Sequence, residues 1–108
     1  MRLAAAAAVF AVAAGTAAAQ TRTELNAQER RGEVLLAKLC AGCHAVGRSD
    51  ASARAEAPAF RTLGQRYKIE NLEEALAEGL INGHSDMPDF SASDVGDAIA
   101  YLNAIQSR

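Results

Sequence analysis

The 108-residue sequence has no tryptophan, three phenylalanines and two each of tyrosine, cysteine, histidine and proline. Two cysteines cannot build a disulfide-dense scaffold. Eleven Lys and Arg stand against 13 Asp and Glu, a balance that argues against a conventional nucleic-acid binder. No run alternates polar and apolar residues with the period of two that a half-buried strand needs, so the fold class is all-α. No stretch approaches the ~20 apolar residues that span a hydrocarbon core. Large apolar side chains are scarce as well. From Gln20 onward, 89 residues include 38 hydrophobic ones, of which 21 are larger than Ala and not Cys. A single domain of this size buries a low fraction of its surface and is marginal, so something is expected to supplement the core.

What is plentiful is alanine, with 11 of the 26 in the first 19 positions. Arg2 supplies a positive start, residues 3–14 an apolar stretch, and Ala17-Ala18-Ala19 the small-x-small pattern that directs cleavage before Gln20. Twelve apolar residues, mostly Ala, are too few for an anchor. The expectation is a cleaved signal peptide over residues 1–19, a single domain over residues 20–108, and a soluble, exported, periplasmic product in a Gram-negative cell.

The mature chain shows helical apolar spacing on either side of a segment of small and charged residues, 47–58. The first helix is expected to start at Asn26 as N-cap, with Glu29 completing a capping box, and to reach about Cys40, with Gly32, Leu36, Leu39 and Cys40 on one face. A second runs from Asn71 to Gly83 and carries Leu72, Ala75, Leu76 and Leu80 inward. A third starts near Ser91 or Ser93, has Asp94 in its first turn, and aligns Val95, Ala98, Ile99, Tyr101, Leu102 and Ile105. After Pro58, Phe60 and Leu63 predict at most a one-turn helix.

Cys40-Ala41-Gly42-Cys43-His44 is the Cys-x-x-Cys-His signature of covalent haem attachment. Two residues between the cysteines at a helix end let both sulfurs reach the vinyl groups on one porphyrin edge, and the imidazole that follows is carried under the iron. Small Ala41 and Gly42 leave room for the macrocycle. Three other readings compete. A thioredoxin-like redox pair belongs in a βαβ context that the sequence lacks, a zinc site lacks a second ligand pair at finger spacing, and a Cys40–Cys43 disulfide closes too short a loop to stabilise much.

Electron transfer requires a second axial ligand opposite His44. After cleavage one methionine remains, Met87, in a loop stiffened by Pro88. Its soft thioether suits iron, and a Met/His pair raises the reduction potential. The bland reading of Met87 is core filler. His84 is the rival ligand, with an exposed polar role as its ordinary reading.

These residues resemble the small bacterial class I cytochromes c over roughly residues 28–105. The likeness rests on the haem motif, on Gly32 eight residues before the first cysteine, and on Tyr101 in a closing helix. The resemblance implies that Gly32 packs against Tyr101, and only a residue without Cβ allows helices to cross that closely. It also implies that the Pro58 carbonyl accepts from the other ring nitrogen of His44, fixing its tautomer. Leu36 departs from the aromatic common in relatives, and with only Lys38 and Lys68 beside eight arginines in residues 20–108 a lysine-rich docking face is hard to see. Arg48, Arg61 and Arg66 are candidates for the haem propionates or for solvated surface roles. Tyr67 is a candidate donor to a propionate or to Met87, or plain core.

The fold implied is a small cytochrome c fold, three main helices and a short turn wrapped around one covalently attached haem c per chain. Leu36, Leu39, Phe60, Leu63, Leu80, Phe90, Ile99 and Leu102 are expected to pack the ring. The cofactor-binding residues are Cys40, Cys43, His44 and Met87, with His44 and Met87 on the iron and no catalytic residue. Function would be one-electron transfer between transient redox partner proteins, as a monomer that binds no nucleic acid and has no stable membrane span. The rivals are a haem protein whose open iron binds a small ligand, the electron-transfer subunit of a dehydrogenase, and a haem-free thiol or metal module.

Overall fold

The computed structural model describes residues 3–9, 24–78, 84 and 87–107. Among them there is no strand, as the lack of period-two alternation predicts. Of the leader only residues 3–9 fall in this part, and its cleavage site lies outside it, as do Leu80 and the expected stop at Gly83.

Helix α1, Ala27–Leu39, opens on a complete capping box. Asn26 Oδ1 accepts from the Glu29 N–H at 2.8 Å, and Glu29 Oε2 accepts from the Asn26 N–H at 3.0 Å, which satisfies two of the first-turn donors. Helix α2, Leu72–Glu78, begins one residue later than expected because Ile69–Asn71 form a 3-10 turn ahead of it. Helix α3, Ala92–Ala104, has Ser91 as N-cap, with Ser91 Oγ accepting from the Asp94 N–H at 3.1 Å. The one-turn helix expected after Pro58 is longer, a 3-10 helix over Phe60–Gln65.

The framework is the crossing of α1 and α3. Gly32 is buried there, and a Cβ on it would overlap the Asp97 carbonyl and approach Tyr101 Cβ to 2.8 Å. A glycine inside a helix costs about 1 kcal/mol against alanine, and here it gives the helices their close contact. Leu36, Ala98, Tyr101, Leu102, Val95 and Ile105 pack around the crossing with Val46, Phe60, Ile69 and Leu76. The Tyr101 hydroxyl donates to the Val46 carbonyl at 2.6 Å, so the buried phenol is satisfied. Leu39, expected on the inner face, is instead exposed, because it falls past the reach of α3 at the helix end.

The long loop after α1 is held by side chains. Asp50 accepts from the N–H groups of Val46 and Gly47 at 3.2 and 2.9 Å, and Ser52 Oγ accepts from the Ala45 N–H at 2.9 Å. At the far end of α3, Gln106 donates to the carbonyls of Phe60 and Leu102 at 2.9 and 2.7 Å and accepts from Gly64 N–H at 2.6 Å. This pins the 3-10 helix to α3. No helix among the described residues is long and apolar enough to cross a membrane.

Candidate cofactor site

The chain leaves α1 in a turn that continues its hydrogen bonding, with the N–H groups of Cys43 and His44 donating to the Cys40 carbonyl at 3.1 and 2.9 Å. The tightly wound turn carries the two thiols and the imidazole as one unit. Both cysteines are free and half-buried, so the short disulfide is not formed. Gly42 has no atom within 4 Å of where a Cβ would stand, leaving this face open. Burial, and secondarily the neighbouring Cys43, push the Cys40 thiol up to about 11. A neutral thiol is the reverse of the lowered, thiolate-forming cysteine of redox-active Cys-x-x-Cys pairs.

His44 is the best-defined side chain of the site. Its Nδ1 lies 2.7 Å from the Pro58 carbonyl, and since a carbonyl only accepts, Nδ1 carries the proton and Nε2 is left with its lone pair. Phe60 stacks on the imidazole with ring centroids 4.7 Å apart and planes at 29°. Pro58 and Phe60 stay in place because the Phe60 N–H donates to the Ala45 carbonyl at 3.0 Å. One bond therefore orients the ring and another the segment that orients it.

Beside His44 opens a cavity of about 600 Å³, within the ~300–1,000 Å³ usual for cofactor sites. Leu36, Leu63, Leu72, Leu76, Leu102 and Phe60 line it, together with Cys40, Pro58, Ala75 and Met87. Among the described residues, the polar side chains that reach it are His44, His84, Arg66, Tyr67 and Asn71. An apolar cavity with a thiol and a lone-pair imidazole on one wall fits a haem. It is also where the shortage of large apolar residues is felt, since Leu63, Leu72 and Met87 are only partly buried against the core. A second depression of about 390 Å³, between Glu70, Asn71, Glu73, Glu74 and Ala77, has no such convergence.

Cys40, His44, Met87 and His84 thus share one cavity, whereas Cys43 is half-buried beside it and does not line it. Of the apolar side chains expected around the ring, Leu36, Phe60, Leu63 and Leu102 line the cavity. Phe90 and Ile99 pack on the core instead and Leu39 faces solvent. Tyr67 lies at the cavity rim and is 53% exposed, which removes the plain-core reading. Arg66 is at the same rim, whereas Arg61 Nη1 donates to the Asp50 carbonyl at 2.7 Å and Arg48 Nη1 to the Ala104 carbonyl at 3.4 Å. Sequence reasoning missed the loop clamps of Asp50 and Ser52 and the Gln106 pin. Their polar residues carry no motif, and their partners are backbone groups.

The family described as cytochrome c oxidase, cbb3-type, subunit III matches residues 27–102, from the first residue of α1 to the Leu102 that lines the cavity. Cytochrome c-552 of Bradyrhizobium diazoefficiens is 33% identical over 100 residues, covering 91% of this chain and 89% of that protein. No solved structure matches significantly. The matched span contains the Cys-x-x-Cys-His turn, the glycine crossing and the apolar cavity together. The chain belongs to the cytochrome c family, of the small class I kind, and is a haem-bearing electron carrier rather than an enzyme.

Proposed function

We propose that this chain is an exported electron carrier in which Cys40 and Cys43 hold one haem c by thioethers and His44 and Met87 occupy the two axial positions of its iron. The observation that carries the reading is the 2.7 Å contact of His44 Nδ1 with the Pro58 carbonyl, made on the wall of the cavity that Met87 also lines. When bound, the haem supplies a one-electron couple, with a potential tuned by axial ligands, burial and hydrogen bonding.

The protein's own residues do the rest. Pro58 holds the imidazole in the tautomer that presents Nε2, and its carbonyl makes that nitrogen a stronger donor. The leucines exclude water, which favours the less charged state of the centre. Pro88 limits the backbone freedom of Met87. Residues 1–19 serve as the export signal and are removed before Gln20, delivering residues 20–108 to the periplasm. Partners are transient redox proteins, a reading supported by the match to a cytochrome c family. Lys38, Lys68 and Arg66 are exposed and available for salt-sensitive docking.

Two measurements test this on the purified protein. Haem staining is expected to survive denaturing electrophoresis and to vanish in Cys40→Ala/Cys43→Ala. The ferric protein at neutral pH is expected to show the weak band at the red end of the visible spectrum that marks Met ligation, and Met87→Ala to lose it. A parent without haem stain ends the thioether assignment, and a parent without the red band ends the Met87 assignment.

A further inference from the structure

His84 and His44 both line the cavity, with their rings stacked, centroids 6.0 Å apart and planes within 5° of parallel. The separation differs from that of His44 and Phe60, whose rings are in contact at 4.7 Å. His84 is half-buried and lines the same cavity as Met87, so neither side chain has to leave the site for the other to enter it. His44 has committed Nδ1 to the Pro58 carbonyl, and its remaining ring nitrogen is the one available to a metal. A ring this close to His44 is within reach of a metal that His44 binds at ~2.0–2.1 Å, once its edge turns toward that metal.

We propose that His84 is a reserve axial ligand, which takes the position opposite His44 whenever the Met87 thioether is not bound. The inference rests on the reading that His44 ligates haem iron. In the exchange the iron–sulfur bond breaks and an iron–nitrogen bond forms from a ring-nitrogen lone pair of His84, with no change of oxidation state. Its consequence is to keep the iron closed. A carrier that loses its thioether would otherwise offer an open site to carbon monoxide, oxygen or peroxide, whereas a histidine in reach leaves it six-coordinate at a lower potential.

The test compares holoproteins at one neutral pH: the parent, Met87→Ala, His84→Ala and Met87→Ala/His84→Ala, with Met87→Leu and its His84→Ala partner as a volume-conserving second pair should the alanine variants accumulate poorly. Spin state is read from the ferric spectrum and ligand access from carbon monoxide titration of the reduced form. The expected result is that His84→Ala alone keeps the red band. Met87→Ala loses it yet stays low-spin, and the double variant becomes high-spin. The apparent carbon monoxide affinity of Met87→Ala should fall on the order of tenfold or more below that of the double variant, since only the open fraction binds. A high-spin Met87→Ala that binds carbon monoxide as well as the double variant overturns the proposal. A low-spin parent that lacks the red band and turns high-spin in His84→Ala also overturns it, since His84 is then the resting ligand. That last outcome is read in the parent and ends the Met87 assignment too, so the two failures are distinguishable.

Discussion

The two sides of this small molecule are built differently. Where α1 crosses α3, polypeptide meets polypeptide: Gly32 lies against Asp97 and Tyr101, and Leu36, Ala98, Tyr101 and Leu102 are at most 3% exposed. Around the cavity, the Phe60–Gln65 3-10 helix and the short α2 present leucines to a concave wall, the Ile69–Asn71 turn adds Asn71, and Tyr67 stands 53% exposed at the rim. One side is closed by its own side chains. The other is shaped for a flat apolar guest, and this division lets 21 large apolar residues suffice.

The largest expected effect comes from removing the two cysteines proposed to hold that guest. Cys40→Ala/Cys43→Ala should lose cooperative thermal unfolding and most far-UV helicity, because ligands and cofactors that bind only the native state stabilise it by mass action. A compact, sharply melting double variant would show that the crossing alone carries the fold and would break the comparison. Next is Gly32→Ala. It gains helix propensity, but the new methyl meets a backbone carbonyl that cannot step aside, so a net loss of about 2–3 kcal/mol is expected from overpacking. Denaturant titration of the holoprotein checks this, and a neutral result would mean that the helices separate at little cost.

A smaller effect is expected from Tyr101→Phe, about 1 kcal/mol for the bond to Val46. Burial, followed by the charge of Glu33, raises the Tyr101 phenol above its ordinary value. Its contribution is therefore complete below the unfolded value of about 10 and is lost as pH rises through the higher folded value. The parent should lose more stability in alkali than Tyr101→Phe, and parallel losses would remove Tyr101 as the cause. The smallest is Asn26→Ala, about 1 kcal/mol or less for an exposed cap. It should lower the melting temperature while leaving the red band unchanged, because α1 begins far from the cavity wall.

Much of the crossing was legible in the sequence, and less of the cavity. Asn26 with Glu29 and Ser91 with Asp94 are local patterns whose physics lies within four residues; the first cap forms where expected and the second at Ser91, one of the two candidate serines. The Gly32 contact and the His44–Pro58 bond followed from a family resemblance rather than from periodicity, and the structure contains both. The length of the 3-10 helix was not legible, since six residues give no period to detect. Nor was the pin by Gln106, which joins groups 42 and 46 residues away. The exposure of Leu39 depends on where α3 stops covering α1, a property of two helices together. The parallel stance of His84 and His44 likewise arises only when segments 40 residues apart close on one cavity.

Gly32 also sets a lever. It lies eight residues ahead of Cys40 on the same helix, an arm of about 12 Å at ~1.5 Å per residue. A swing of roughly 5° about the contact with Asp97 would move the Cys40 sulfur by about 1 Å, on the scale at which a small misplacement already matters to chemistry. The angle between two helices, set by a missing methyl group, therefore aims the Cys40–His44 turn at the cavity, and substitutions at the crossing should be felt as drifts in potential as well as loss of stability.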